Sequence, residues 1–474
     1  MDPVKKSPNL LLITTDQQRA DSLGCSGNQA VHTPNFDTLA RQGIRYENAI
    51  CQAPVCMPSR ACWMTGQYMG THGVWANGVG LEDRPTLLPR VLQQAGYGTA
   101  MIGKLHLTPA MAPSQPGDGS FGFDLVRLTE GERPGGYRHW LRETAPNEVR
   151  RLPHEFPPKR LCDLYEPGEA LPEELDSTRW VADQAMAAWR NRVQHGPMFM
   201  HVSFPKPHHP FATPERFAAM VPREKIPGRI PAPDDWSDLP PHFERLHRGT
   251  HPLIAQPLCD ATEDQWLGVR ANYYGMVNFI DEQIGRILNV VDDDDRPTLI
   301  LFTSDHGELL GDHGLLYKGL YQYDALLRVP LIVAGAGVDH QDVVVLNSVQ
   351  QIDIMSTVLS ICGVGIPPAC QGSILPGIGC PLDSEPYRFT LTEQRGPWFT
   401  PERRVVTLRS SDWKLSVYND TAYGEMYHLA EDPDERRNLW NEASFAEEKA
   451  ELLHELAVRQ LDAATPGGRR TFRA

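Results

Sequence analysis

The sequence predicts an α/β fold: a large, mostly parallel sheet flanked by helices, followed by a small C-terminal unit with an antiparallel sheet and a helix. Short apolar runs of strand length recur along most of the chain, as in strands that are buried on both faces. Helical patterns alternate with these runs, which indicates parallel strands joined by crossover helices. The last strands follow one another without such helices. We therefore expect one domain over residues 1–375 and a small α+β subdomain over residues 376–474.

The large domain contains strands and helices in alternation. Its predicted strands are the apolar runs at residues 9–15, 99–102, 198–204, 298–303 and 330–334. Its predicted helices cover residues 34–41, 86–95, 176–192, 263–291 and 350–362. Two stretches rich in proline, glycine and charge, residues 108–174 and 222–260, predict long loops over the face of the core, where selectivity usually resides.

The C-terminal unit begins after a segment that is typical of a linker. Residues 363–383 are rich in glycine and proline, which disfavours both helix and strand. Beyond this segment we predict short strands at residues 389–393, 404–409 and 413–418, and a helix at residues 445–461. Together these elements predict a small antiparallel sheet with one helix packed against it.

Composition and charge limit the classes of partner. The net charge of −15 argues against nucleic acid as the main partner, and an anionic ligand would need a local basic pocket. The nine cysteines have no regular spacing, so we expect reduced thiols rather than a disulfide framework. The apolar run at residues 10–13 is too short for a signal peptide, and no segment approaches the length of a membrane span. These features predict a cytoplasmic protein that does not bind membranes, unless a leader has been removed.

Two pairs of candidate metal ligands come directly after predicted strands. Asp16 and Gln17 follow the first strand, and Asp305 and His306 follow a later one. In open α/β sheets ligands bind beyond the carboxyl ends of the strands, so both pairs could face one crevice. Their oxygens suit a hard divalent cation, and we expect Ca²⁺, with Mn²⁺ or Mg²⁺ as alternatives. A capping aspartate and a solvated loop histidine are the non-functional alternatives.

Basic side chains lie near the ends of further predicted strands. Lys104 and His106 are two residues apart on an extended segment, so both could point at one tetrahedral anion. His208 and His209 lie in a proline-bounded turn after another strand, and Lys318 follows the Asp-His pair. The alternative for these residues is a solvated surface, where lysine and histidine are commonly found.

A short motif early in the chain connects these candidates. Residues 56–60 read Cys-Met-Pro-Ser-Arg, which alone is also consistent with a buried thiol beside a proline that starts a helix. Asp-Gln precedes it, and Gly-Lys-x-His, the histidine pair, Ser-Asp-His-Gly and a lysine before glycine follow it. This order resembles the type I sulfatases of the alkaline phosphatase superfamily over nearly the whole chain.

One difference from many members of that family concerns the metal site. Many sulfatases carry two aspartates after the first strand and Asp-Asn later, whereas this chain has Asp16-Gln17 and Asp305-His306. The variant found here is similar to bacterial choline sulfatases and phosphonate monoester hydrolases. The identity of the metal and of the ester is therefore less well determined by the resemblance than the fold is.

The resemblance implies a mechanism and a role for each candidate. It implies that a maturation enzyme oxidises Cys56 to formylglycine, whose hydrate attacks sulfur. His208, with Lys318 near it, would protonate the leaving oxygen, and His106 would take a proton from the second hydroxyl as sulfate leaves. The metal would be held by Asp16, Gln17, Cys56, Asp305 and His306. Fixed positive charge and substrate contacts would come from Arg60, Lys104, Lys318, Asn77 and His209.

The resemblance thus implies an alkaline phosphatase-like fold and a sulfuric ester hydrolase, similar to arylsulfatases, that acts on a small-molecule or sugar sulfate and could form homo-oligomers. One alternative is a phosphonate monoester or phosphodiester hydrolase that uses the same formylglycine, although Lys104 and His106 argue against it. A second alternative is a non-catalytic binding protein whose Cys56 is never oxidised. For Asn77 a turn residue is the alternative role, and Cys51 and Cys62 are expected to be buried thiols.

Overall fold

The computed structural model describes residues 7–109, 120–130, 136–151, 161–165, 170–192, 196–249, 256–385, 387–396, 403–419 and 421–464. Parts of the predicted loops at residues 108–174 and 222–260 therefore lie outside the described residues, as does the predicted subdomain beyond residue 464. Within the described ranges the chain forms two sheets, one of nine strands and one of four.

The large sheet is mixed, with a parallel half that carries the candidate residues. Its strands are β1 (Asn9–Thr15), β2 (Gly43–Ile50), β3 (Gly98–Gly103), β4 (Leu125–Leu128), β5 (Met198–Ser203), β6 (Thr298–Ser304), β7 (Arg328–Val329), β8 (Leu331–Gly335) and β9 (Val343–Gln350). Their order is β4-β3-β5-β1-β6-β8-β2-β7, and β9 pairs with β2. The first five strands of this order run parallel, and β8 is antiparallel to both of its neighbours. The predicted fold class and all the predicted strands of this sheet are confirmed.

Helices cover both faces of the large sheet. They are α1 (Pro34–Arg41), α2 (Cys56–Thr65), α3 (Met69–His72), α4 (Leu88–Gln94), α5 (Tyr137–Thr144), α6 (Ser177–Arg190), α7 (Glu215–Ala219), α8 (Pro241–Arg248), α9 (Glu263–Asp292), α10 (Asp324–Leu327) and α11 (Asp353–Ile361). The predicted helices correspond to α1, α4, α6, α9 and α11. The longest, α9, begins at a capping box in which Thr262 and Gln265 satisfy each other's backbone N–H groups. In the described part of the chain, no helix is both long and apolar enough to span a bilayer.

Some elements were not expected from the sequence. The prediction of an unbroken loop over residues 222–260 is wrong at α8, which buries Phe243 and Leu246. The same prediction over residues 108–174 is wrong at β4 and α5. The strands β2 and β9 were not predicted, because polar and charged residues interrupt their apolar patterns on a partly exposed part of the sheet.

The second sheet is antiparallel and follows the segment predicted as a linker. Its strands are β10 (Thr390–Arg395), β11 (Arg404–Arg409), β12 (Trp413–Tyr418) and β13 (Gly424–His428), in that order. The helix α12 (Ala446–Ala464) packs on it through Leu452 and Leu456. The predicted small sheet and its helix are thus present, with β13 as an additional strand. The domain boundary at residue 375 stays a prediction.

The parallel half of the large sheet fixes the place of the candidate residues. The strands β3, β5, β1 and β6 are neighbours, and their carboxyl ends lie at one edge. Lys104 follows β3, the histidine pair follows β5, Asp16 follows β1 and Asp305 follows β6. Residues far apart in the chain therefore meet at this edge, as is expected for a parallel sheet.

A buried ion pair joins the second sheet to the large one. Asp324, at the start of α10, accepts hydrogen bonds from Arg409 Nε at 3.0 Å and Arg409 Nη2 at 2.7 Å, and Lys414 Nζ lies 3.6 Å away. Burial alone would raise the pKa of Asp324, but the charges of Arg409 and Lys414 outweigh it and hold the pKa well below its usual value. The carboxylate therefore stays ionised in the folded protein.

We predict that Asp324→Asn lowers the free energy of unfolding by about 3–5 kcal/mol at pH 7, because it leaves Arg409 without its counter-ion. The folded pKa lies below the unfolded value, so the stabilisation is present above the unfolded value of 3.8 and is lost as the pH falls below it. In urea unfolding, the difference between variant and wild type should shrink from pH 7 toward pH 3. Asp434→Asn, at an exposed position of the same unit, is the control. A difference that is the same at every pH would contradict this account.

Candidate active site

Cys56 is the first residue of α2 and lies inside the large domain, with 1% of its surface exposed. Pro58 fits in the first turn because a backbone N–H at that position would have no partner within the helix. The Cys56 Sγ atom lies 3.4 Å from His306 Nε2, 3.4 Å from Lys318 Nζ and 3.8 Å from Asp16 Oδ1. The structure thus brings the cysteine together with residues that follow β1 and β6.

A cluster of ligand atoms surrounds this cysteine. One atom from each of Asp16, Cys56, Asp305 and His306 lies within 4.8 Å of the others, and all four residues are buried. Two carboxylates and one imidazole suit a hard divalent cation, whereas a thiolate is a softer ligand. The oxidation expected at Cys56 would replace sulfur by oxygen and give a consistently hard set. The residues therefore fit a divalent metal ion.

Arg60 balances the charge of the two carboxylates. Its Nη2 lies 3.1 Å from Asp16 Oδ2 and 2.9 Å from Asp305 Oδ2, while its Nη1 donates to the Lys104 carbonyl and the Ser203 hydroxyl. The side chain is 1% exposed. These contacts occupy both terminal nitrogens, so Arg60 lies against the two carboxylates. Its role as fixed positive charge for the formylglycine and the sulfate oxygens, which the resemblance implied, stays a prediction.

The remaining charges make the site strongly positive around the cysteine. Burial would raise the pKa of the Cys56 thiol, but Lys318 and Lys104 outweigh it and lower the pKa well below its usual value. Burial and the charge of Asp16 raise the pKa of Asp305 to about 6. Burial would lower the pKa of Lys104, yet Asp16, 2.6 Å from its Nζ, raises it. An anion at Cys56 is therefore favoured, and a divalent cation would help to keep both carboxylates ionised.

His106 approaches Cys56 from the loop after β3. The interaction of its side chain with Cys56 helps to lower the pKa of the thiol, and its backbone adopts a positive φ of 49°. The Glu130 Oε1 atom accepts hydrogen bonds from the N–H groups of Leu105, at 2.9 Å, and His106, at 2.7 Å. These two bonds hold the strained turn, because a non-glycine residue rarely adopts this conformation unaided. The predicted pairing of Lys104 and His106 at one site is present.

His208 approaches Cys56 from the loop after β5. Its Nδ1–H donates to the carbonyl of His209 at 2.8 Å, so Nε2 is available on the other side of the ring, and the side chain also reaches Cys56. Burial, followed by the charge of Lys318, lowers the pKa of His208. A bound anion would raise that pKa again. His209 lies between His208 and Tyr317, with ring centroids 4.0 Å from each, and so supports the His208 ring.

Lys318 links Gln17 to the cysteine. Its Nζ donates to Gln17 Oε1 at 2.7 Å and lies 3.4 Å from Cys56 Sγ. The backbone N–H of Gln17 donates to Asp305 Oδ1 at 2.8 Å. Gln17 is therefore anchored to the cluster, with its amide oxygen turned toward Lys318.

Further residues hold the site together through hydrogen bonds, and two of them, Glu130 and Glu308, were not expected from the sequence. Asn77 accepts a hydrogen bond from the backbone N–H of Met57 at 3.0 Å, so in this structure it fixes the start of α2, whereas the resemblance implied a substrate contact. Ser59 donates to the carbonyl of Asp305 at 2.6 Å. Glu130 and Glu308 accept hydrogen bonds from backbone or amide N–H groups at the site. No sequence motif indicates such a role. Cys51 and Cys62 are buried free thiols, as expected.

Comparison with known proteins shows similarity to sulfatases over almost the whole chain. Residues 8–364 match the family model described as Sulfatase, and residues 311–462 match N-sulphoglucosamine sulphohydrolase, C-terminal. The protein named uncharacterized sulfatase YidJ of Escherichia coli (strain K12) is 29% identical, with 96% of this chain and 88% of that protein covered. The arylsulfatase of Clostridium perfringens (strain 13 / Type A) is 28% identical, with 97% and 95% covered. The solved phosphonate monoester hydrolase of Agrobacterium radiobacter aligns with a TM-score of 0.79 and 26% identity over 95% of this chain and 96% of that one.

We predict that the chelator-treated protein binds Ca²⁺ or Mn²⁺, and that Asp305→Asn weakens binding at least about tenfold because a charged ligand is lost. Isothermal titration with CaCl₂ and with MnCl₂ measures both affinities. Asp353→Asn, which changes a buried carboxylate outside the cluster, should bind as the wild type does. A clear preference for Zn²⁺, or equal Ca²⁺ affinity in both variants, would contradict the assignment of ligands.

Proposed function

The chain belongs to the sulfatase family, and we propose that it hydrolyses sulfate esters to an alcohol and inorganic sulfate with a formylglycine hydrate, formed at Cys56, as the nucleophile. The observation that carries this proposal is the surroundings of Cys56. Two imidazoles and the Lys318 ammonium reach its side chain, and the side-chain atoms that fit a metal ion lie beside it.

The hydrate explains why the chemistry needs a modified cysteine. One hydroxyl attacks sulfur in line with the departing alcohol, and the second provides a way to release sulfate. His106 accepts the proton of that second hydroxyl, so that the carbon–oxygen bond to sulfate breaks and the aldehyde is restored. A serine at this position would have a single hydroxyl and would remain as a stable sulfate ester.

The leaving alcohol needs a proton, and His208 is placed to supply it. Because its Nδ1–H is held by the His209 carbonyl, protonation of Nε2 gives an imidazolium that can donate toward the ester oxygen. Burial lowers the pKa of the free ring, and the negative charge of a bound sulfate ester would raise it. The proton would therefore be taken up when substrate binds.

Positive charge at fixed positions stabilises the transition state. Lys318 Nζ lies 3.4 Å from Cys56 Sγ, and Lys104 carries a second positive charge that lowers the pKa of the thiol. Each such group can contribute a few kcal/mol in a water-excluded site. A divalent cation held by Asp16, Asp305, His306, Gln17 and the oxidised Cys56 would add Lewis-acid polarisation of the sulfate oxygens. We expect Ca²⁺, with Mn²⁺ or Mg²⁺ as alternatives.

The substrate class is proposed from the second family match. Residues 311–462 resemble the C-terminal part of N-sulphoglucosamine sulphohydrolase, which favours a sugar sulfate over a simple alkyl sulfate. The second candidate function is hydrolysis of phosphonate monoesters or phosphodiesters, favoured by the structural similarity to a phosphonate monoester hydrolase. Lys104 and His106 argue for the sulfatase, since phosphonate hydrolases differ from sulfatases most at this element.

We predict that the purified protein, produced with a formylglycine-generating enzyme, releases sulfate from a panel of aryl sulfates, sulfated sugars and choline sulfate faster than it cleaves phosphonate monoesters. Cys56→Ala should abolish turnover, and so should Cys56→Ser in a host that oxidises only cysteine, because neither variant can form the hydrate. Both substitutions are small, so urea unfolding should confirm an intact fold. Sulfate release near the wild-type rate by Cys56→Ala would refute the mechanism, and faster phosphonate cleavage would favour the second candidate.

The two histidines should respond differently to substitution. His208→Ala should slow esters with poor leaving groups far more than activated aryl sulfates, which need little protonation. His106→Ala should slow the second step for every ester alike, giving a burst of alcohol and a protein that carries the mass of a bound sulfate. Rapid-quench kinetics with mass spectrometry measures both effects. An equal leaving-group dependence in the two variants, without a trapped adduct in His106→Ala, would show that these roles are misassigned.

A further inference from the structure

Glu308 is a fully buried carboxylate in the loop that follows β6, and the mechanism above does not use it. Its Oε1 accepts hydrogen bonds from the backbone N–H groups of Leu310, at 3.1 Å, and Tyr317, at 2.6 Å. Its Oε2 accepts a short hydrogen bond from the amide nitrogen of Gln17. One carboxylate thus joins the residue after Asp16 to the loop that carries Lys318.

These contacts fix which end of the Gln17 amide faces the site. An ammonium group can only donate, so Lys318 must meet the amide oxygen, as it does at 2.7 Å. Glu308 accepts through both carboxylate oxygens, from two backbone N–H groups at Oε1 and from the Gln17 nitrogen at Oε2, so it meets the amide NH₂ group. If the amide were turned over, its oxygen would face the Glu308 carboxylate and its NH₂ group would face the Lys318 ammonium. Both neighbours therefore select the same orientation.

The orientation matters because only the oxygen of an amide can bind a hard cation. The Gln17 oxygen is 2.7 Å from Lys318 Nζ, and that Nζ is itself 3.4 Å from Cys56 Sγ, so the ammonium group connects this end of the amide to the cysteine of the cluster. Within the described residues, the NH₂ group of Gln17 also lies near His209, whose Nδ1 is 3.4 Å from the same nitrogen, and Glu308 is its carboxylate partner.

We propose that Glu308 is a positioning residue that holds the Gln17 amide oxygen toward the divalent metal site. At the same time it fixes the Lys318 loop through the Tyr317 N–H. The inference rests on the proposed function in so far as it takes the cluster at Cys56 as a metal site. In a purely structural role, Glu308 would only hold the loop in place through Leu310 and Tyr317. The proposed role differs because it makes the metal affinity depend on the orientation of the Gln17 amide.

The variant Glu308→Gln tests this directly. The oxygen of the introduced amide can still accept from Leu310 and Tyr317, but its NH₂ group then opposes the NH₂ group of Gln17 and should turn that amide over. We expect the Kd for Ca²⁺ of the chelator-treated protein to rise about 10- to 100-fold, the range typical of lost support for a metal ligand. Isothermal titration with CaCl₂ measures it. Glu425→Gln, at a buried glutamate that accepts hydrogen bonds from two tyrosine hydroxyls in the second sheet, should leave the Kd unchanged.

A second substitution separates positioning from bracing. With Gln17→Glu added to Glu308→Gln, the introduced carboxylate can accept from the introduced amide and keep an oxygen for Lys318, so the Ca²⁺ affinity should return to within about threefold of the wild type. Gln17→Glu alone would place two carboxylates face to face and should destabilise the protein in thermal unfolding. Restored Ca²⁺ binding in the double variant supports the proposal even if Glu308→Gln alone fails to fold.

Three results would overturn the proposal, and only the third also affects the metal site. Wild-type Ca²⁺ affinity in a folded Glu308→Gln variant, or no recovery in the double variant, refutes the role of Glu308 and leaves the proposed function intact. A wild-type protein that releases sulfate but binds neither Ca²⁺ nor Mn²⁺ refutes the metal site, and the role of Glu308 with it.

Discussion

The active centre depends on the contact between the Arg60 guanidinium and the carboxylates of Asp16 and Asp305. Two negative charges this close in a buried region would be costly without a counter-ion, because the low dielectric of the interior strengthens their repulsion. Arg60 provides this counter-ion, because its Nη2 is close to both carboxylates. Cys56 lies four residues before Arg60 on the same helix, so the two side chains share one face of α2. The ion pairs that neutralise the carboxylates therefore also hold the cysteine at the ends of β1 and β6.

The positions of Lys318, His106 and His208 around Cys56 depend on these ion pairs and on the parallel sheet. With the carboxylates held by Arg60 and Lys104, the Lys318 charge remains beside Cys56, and it lowers the pKa of the thiol. His106 and His208 enter from the loops after β3 and β5, the two strands on the far side of β1. Cys56 is thus approached by two imidazoles from separate strands, as the two-step displacement proposed above requires.

The residues of this centre that could be predicted from the sequence lie at strand ends or in short motifs. Strand ends identified Asp16 and Asp305, and the spacing in the Cys-x-Pro-Ser-Arg and Gly-Lys-x-His runs identified the cysteine and its basic neighbours. The sequence could not predict Glu130 or Glu308, because each acts by accepting backbone or amide N–H groups from residues brought near only by folding. The role of Asn77 depends in the same way on where the Met57 N–H points. For the fold, β2 was missed because its charged residues face a partly exposed side of the sheet, while the fully apolar β1 was evident.

The mass of the peptide that contains Cys56 decides whether this residue acts as formylglycine. In protein that has been shown to release sulfate, this peptide should be lighter than its cysteine form and should react with a hydrazide reagent, as an aldehyde does. The same peptide from protein made without the maturation enzyme should keep the thiol mass, and that protein should be inactive. An inactive sample whose peptide keeps the thiol mass after co-expression with the maturation enzyme would favour a binding protein. A fully active sample whose peptide carries only the unmodified thiol would show that Cys56 does not act as formylglycine.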